Sequence, residues 1–94
     1  MRILQSRIFK NAVKRLHLNQ KKDLDKAVRI IVDNPTIGES KVADLAEVRV
    51  YKFRISKQPV LLAYEWVEEE ITLILLALGS HENFYRDLKK SLDS

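Results

Sequence analysis

The residues from Leu78 to Lys90 place an imidazole (His81), a phenol (Tyr85) and a guanidinium (Arg86) a few positions apart, directly after a wholly apolar stretch. Together these groups can cut RNA without a metal. A histidine moves protons near neutral pH, and a neighbouring cation holds the charge that builds on a phosphate in flight. Gly79-Ser80 ahead of His81 is where a chain leaves a sheet at its rim, so a rigid strand would stand behind the imidazole. The alternative is a histidine that caps a helix or packs on the surface. Phe84 is assigned to the core, and Arg86 with Asp87 could equally form a surface ion pair.

A second group of candidates lies upstream. In Val48-Arg49-Val50-Tyr51-Lys52-Phe53-Arg54-Ile55, strand alternation puts Lys52 and Arg54 on one face with Val48 and Val50, and Arg49, Tyr51, Phe53 and Ile55 on the other. Two neighbouring cations on a rigid strand can grip a phosphodiester and offset transition-state charge. Read plainly, they are the solvated end of a sheet face.

These groups need a scaffold. Arg2 to Ser6 reads as a short strand. From Arg7 to His17, Phe9, Val13 and Leu16 recur at helical spacing beside Ala12, with Arg7, Lys10, Lys14 and Arg15 outside. Asn19 is a plausible N-cap for a second helix with Leu24, Ala27, Val28, Ile31 and Val32 as its stripe, ended by Asn34-Pro35. His17 falls at the end of the first helix, where a cation is favoured. The two helices should form an antiparallel hairpin. Thr36 to Ala46 has no period and reads as a loop, in which Val42 to Leu45 could make one helical turn. Three strands follow, Val48 to Ile55, Val60 to Val67 and Ile71 to Leu78, with turns at Ser56-Lys57-Gln58-Pro59 and Glu68-Glu69-Glu70. The last two strands are apolar on both faces, so both faces must be covered, one by the helices and the other by the segment Asn83 to Leu92. The order β-α-α-β-β-β-α describes an α+β domain spanning residues 1–94.

Composition narrows the chemistry. Ninety-four residues with 46% hydrophobic and 32% charged, two Gly and two Pro describe one globular domain with a modest core. Without cysteine, neither a disulfide framework nor a thiolate metal site is available, and with two histidines neither a classical zinc site nor a cofactor is expected. No stretch is long enough to span a bilayer and no signal-peptide core opens the chain, so the expected setting is the cytoplasm, away from membranes. The net charge of +4 suits nucleic acid or an acidic protein partner. Lys10, Lys14 and the Lys21-Lys22 pair would supply salt-sensitive docking on RNA, or be ordinary solvated surface. The acidic triplet reads as a soluble hairpin tip and not a metal site.

The order of elements, together with Phe9-Lys10, Val13-Lys14, Asn34-Pro35, Asp44-Leu45, Tyr51-Lys52-Phe53-Arg54, Leu62-Ala63-Tyr64, Gly79-Ser80-His81 and Tyr85-Arg86, resembles the RelE/ParE superfamily of bacterial toxins, the toxic halves of toxin-antitoxin pairs. The resemblance covers nearly the whole chain. It implies a RelE-like fold, growth inhibition and a cognate antitoxin as partner. For the RelE-like branch it further implies metal-independent endonucleolytic cleavage of mRNA in the ribosome, that of an mRNA interferase. The ParE-like branch shares the fold and poisons DNA gyrase instead. The nuclease branch carries basic catalytic residues at Lys52 and Arg54, a histidine or arginine at His81 and a tyrosine at Tyr85; Arg86, Lys10 and Lys14 would then contact RNA. One position departs from the pattern. Leu61 stands where RelE-like nucleases often carry an arginine, and Arg86 or Arg49 would have to compensate.

Overall fold

The computed structural model describes residues 1–41, 48–80, 84–86 and 88–90. The elements in chain order are β1 (Arg2–Gln5), α1 (Arg7–Lys14), α2 (Leu18–Asp33), β2 (Glu39–Lys41), β3 (Val48–Ile55), β4 (Gln58–Val67) and β5 (Thr72–Gly79), with a 3₁₀ turn at Glu68–Glu70 between β4 and β5. Residues 84–86 and 88–90 are helical. The strands form one five-stranded sheet in the order β1-β5-β4-β3-β2.

The meander β3-β4-β5 is antiparallel, as the short connections require. To it the structure adds two strands. β1 pairs in parallel with β5, from Arg2 opposite Thr72 to Gln5 opposite Leu75. The segment read as a loop contains β2, which runs antiparallel to β3 with Glu39 opposite Val50 and Lys41 opposite Val48. Three residues are too few for a period-2 signal, which is why the strand was not legible. The helical turn considered at Val42 to Leu45 lies outside the described residues.

Two apolar clusters sandwich the sheet. On one side Phe9 of α1 and Leu24 and Ile31 of α2 meet Ile55, Leu62, Tyr64, Leu73, Leu75 and Leu78. On the other, Phe84 and Leu88 of the C-terminal segment meet Val48, Val50, Leu61, Ala63, Leu76 and Ala77. Both faces are therefore covered, as the two-sided apolar strands demand, and Phe84 is a core residue at 1% exposure. Val48 and Val50 lie beneath this segment, so only the Lys52 and Arg54 end of their face meets solvent.

Ser6 joins the layers. It ends β1 one residue earlier than expected and serves as N-cap of α1, its Oγ accepting the Phe9 N–H (3.0 Å). The same hydroxyl donates to the Leu76 carbonyl (2.6 Å), and the Ser6 N–H donates to Leu75 (2.9 Å). The β4–β5 register shifts between Ala63, opposite Ala77, and Tyr64, opposite Leu75. Leu76 is thus the extra residue of a β-bulge, and Ser6 satisfies its carbonyl. The bulge also lets Leu75 and Leu78 both face the helices.

α1 ends at Lys14 with Arg15 as its C-cap, and α2 begins earlier than expected, at Leu18. Its N-cap is His17, not Asn19, and the His17 N–H donates to Gln20 Oε1 (2.7 Å). His17 therefore sits at the start of the second helix and not at the end of the first. β5 starts at Thr72, because Ile71 adopts a left-handed conformation (φ 48°) with its side chain exposed. The β3–β4 turn is also tighter than expected, since Gln58 already pairs with Ile55 and Pro59 with Arg54. Proline is tolerated in β4 because pairing with β5 begins only at Leu61. The two turn residues, Ser56 (φ 49°) and Lys57 (φ 70°), are left-handed, a conformation that costs about 1 kcal/mol for each non-glycine residue.

Candidate functional site

Lys52 and Arg54 lie two residues apart on β3, both exposed, with Cα atoms roughly 7 Å from each other by strand geometry. They share the sheet face on which Phe84 and Leu88 are buried. The segment covering that face carries exposed Tyr85 and Arg86, and the Tyr85 ring meets Phe84 edge-on at 5.1 Å. A strand face with two cations and a flanking helical segment with a phenol and a third cation can hold a polyanion between them. His81 lies outside the described residues, as does Asp87 of the Arg86-Asp87 pair. β5 ends at Gly79 immediately before His81, with Ser80 exposed.

Arg54 is less available than its alternation suggests. Its Nη1 donates to the Lys57 carbonyl (3.0 Å), closing the turn it precedes. It also lines a hollow of about 150 Å³ at the edge of β3 with Asp23, Lys26, Ala27, Ile30, Tyr51 and Phe53. The Tyr51 and Phe53 rings stack there at 5.8 Å. Lys52 donates no hydrogen bond among the described residues and is the freer of the two cations.

The helix cations stand apart. Lys10 and Lys14 are exposed on α1, whose buried Phe9 and half-buried Ala12 and Val13 face the sheet from the opposite side. The sheet lies between them and the face that carries Lys52, so they belong to a different surface.

Leu61, the departure noted in the sequence, sits directly across from Lys52 in the β3–β4 register. It is buried with Phe84 and Leu88, so its aliphatic character serves the packing of the C-terminal segment. Arg49 does not supply the missing cation. Its Nη1 donates to the carbonyls of Gly38 (2.9 Å) and Thr36 (3.2 Å) and so holds the loop after α2. Tyr64 fixes the same loop from below: its hydroxyl donates to the Pro35 carbonyl (2.7 Å) and accepts the Gly38 N–H (2.9 Å). A Cβ on Gly38 would stand 2.8 Å from the Tyr64 ring and hydroxyl, so only glycine admits this contact. Burial pushes the Tyr64 phenol above its ordinary pKa, against smaller lowering effects of the Gly38 bond and the Arg49 charge.

Sequence reasoning had no access to Asp23, whose Oδ2 accepts the Ser56 N–H (2.9 Å) and ties α2 to the β3–β4 turn. The bond spans distant parts of the chain. The signal available was a two-residue connection without glycine. Among the described residues no group of histidine, cysteine, aspartate or glutamate could hold a metal ion. No helix there is long and apolar enough to cross a membrane.

The family model for the ParE-like toxin of type II bacterial toxin-antitoxin systems matches residues 3–89. The chain belongs to that family. This ParE-like toxin has the fold of several solved structures. A double-mutant form of E. coli RelE in the free state superposes with a TM-score of 0.75 at 15% identity, covering 98% of this chain and 94% of that one. The intact E. coli RelBE toxin-antitoxin complex contains a chain with a TM-score of 0.71 at 17% identity, over 86% of this chain and 96% of that one. A conserved hypothetical protein of Helicobacter pylori gives 0.56 at 19% identity, over 86% and 94%. At such identities the likeness is one of fold. No curated protein matches the toxin in sequence.

Proposed function

We propose that this toxin is a ribosome-dependent, metal-independent mRNA endonuclease held in check by a cognate antitoxin. The observation that carries the reading is the pair of exposed cations, Lys52 and Arg54, on a rigid strand beside a segment bearing Tyr85 and Arg86. Cleavage of a phosphodiester needs cations that can hold the charge building on phosphorus, and this pair can supply them. The antitoxin follows from the family and from the E. coli RelE structure bound to an antitoxin RelB peptide.

The reaction is in-line attack of a 2′-hydroxyl on the adjacent phosphate. The 2′-oxygen–phosphorus bond forms and the phosphorus–5′-oxygen bond breaks, leaving a cyclic phosphate that can open to a 3′-phosphate. The 2′-hydroxyl proton passes to a base, and a general acid protonates the departing 5′-oxygen. His81 is assigned as that acid, and Lys52 and Arg54 stabilise the charge on the phosphorane-like transition state. Tyr85 orients a base by stacking and Arg86 holds a phosphate.

The test is 5′-end mapping of cellular RNA minutes after inducing the toxin alone, with His81→Ala and Lys52→Ala beside it. Cuts inside translated reading frames should appear with the wild type and weaken about 100-fold or more in His81→Ala. Growth arrest with intact messages and an induced DNA-damage response would overturn the nuclease in favour of gyrase poisoning. Two observations favour that second reading: the ParE-like family model, and Leu61 at the position where an arginine is expected.

A further inference from the structure

The β3–β4 turn is built against its own chemistry. A two-residue hairpin turn with both φ angles positive is the province of Asn-Gly or Gly-Gly, yet this one is Ser56-Lys57, at φ 49° and 70°. Strain of this kind persists only where the surroundings over-determine it. Here they do so from two sides. Asp23 of α2 accepts the Ser56 N–H (2.9 Å), and Arg54 of β3 donates to the Lys57 carbonyl (3.0 Å). Glycine at position 57 would relieve the strain and keep both bonds, since each uses backbone atoms of the turn. What it would remove is the charged side chain of an exposed residue whose main-chain carbonyl accepts from the Arg54 guanidinium. Lys26 lines the same hollow as Asp23 and Arg54, which places a third cation near the turn.

We propose that Lys57 is a further phosphate-contacting residue of the RNA site, presented by a turn whose strain Asp23 and Arg54 sustain. The assignment rests on the nuclease reading above. The turn extends the two-cation strip of β3 to the end of the hairpin, so a single strand of RNA with one phosphate near Lys52 and Arg54 would meet Lys57 at a neighbouring phosphate. The backbone of the turn is already fixed by these two bonds, so binding has only the lysine side chain to order. Lys57 is thus a binding residue that holds the strand, while the chemistry stays with the groups around the scissile bond.

The experiment measures cleavage of a short message in programmed ribosomes over a salt series, alongside thermal melting, for wild type, Lys57→Gly, Lys57→Asn and Lys57→Arg. Glycine and asparagine both accept the left-handed conformation without the charge. Their melting temperatures should be no lower than the wild type's. Their kcat/KM should fall about tenfold, mostly through KM, as for loss of one charge-assisted contact. The salt slope should become shallower by about 0.7, the share of one phosphate contact on a single strand. Lys57→Arg should cleave like the wild type. Unchanged cleavage and salt slope in Lys57→Gly and Lys57→Asn would overturn the assignment while leaving the nuclease intact. A lowered melting temperature in both would overturn it by making the lysine part of the turn's stability. Failure of the wild type to cut messages at all would overturn the nuclease reading and this assignment together.

Discussion

Tyr64 shows how much of the site rests on a residue that touches none of it. Its side chain is buried, and its hydroxyl holds both ends of the loop from Pro35 to Gly38, out of which β2 emerges to cover β3. Ionising that phenol would place a charge inside the apolar layer under the helices, so the folded state keeps the proton more firmly than the unfolded chain does. The sign follows from linkage. With the folded pKa above the unfolded value of 10.0, the contribution of Tyr64 is complete below pH 10 and is lost as pH rises through the folded pKa. Urea midpoints measured from pH 8 to pH 11 should therefore fall steeply above about pH 10. The fall should be visibly shallower in Tyr64→Phe, which starts from a lower midpoint because Gly38 N–H loses its acceptor. Equal alkaline slopes for the two proteins would remove Tyr64 from this account.

At the scale of elements, the sequence was readable wherever a period ran for two turns or more. Phe9, Val13 and Leu16 announced α1, Leu24 to Val32 announced α2, and alternation assigned Lys52 and Arg54 to one face. It was unreadable where long-range contacts decide. β2 is too short to carry a pattern, and the parallel place of β1 beside β5 is a tertiary choice. Ser6 looked like the end of a strand because nothing local reveals that Leu76, seventy positions on, needs a donor. Within the candidate site, the strand cations and the cover over their face were legible. The engagement of Arg54 with Lys57, and of Arg49 with Gly38 and Thr36, was not, because both depend on backbone carbonyls that composition does not display. Leu61 is where element packing and chemistry compete. An arginine at this position would bury its stem against Phe84 and Leu88 and set its charge across from Lys52. Leu61→Arg should destabilise the fold by about 2–3 kcal/mol through lost apolar burial and like-charge pairing, measured as a lower urea midpoint. An unchanged midpoint would mean that the C-terminal segment moves aside without cost.

Across the whole molecule, the sheet divides two basic surfaces: the α1 side with Lys10 and Lys14, and the opposite side with Lys52, Arg54 and Arg86. The net charge is +4, and only one of the two faces carries the candidate chemistry. The sheet also ends unevenly. β2 pairs only with Val48 to Val50 of β3, so the remaining length of β3, from Tyr51 to Ile55, has no strand beyond it among the described residues. Such an open margin is a template for pairing with another chain, and charged side chains are the usual guard against it. Lys52 and Arg54 stand on that margin. The two groups assigned to phosphate chemistry also put charge on that margin, so a variant lacking both, Lys52→Ala with Arg54→Ala, should self-associate at lower concentration than the wild type, by light scattering. The residues proposed for the chemistry would then be the same ones that guard the edge, so an antitoxin strand that neutralised them would have to seal the edge in the same act.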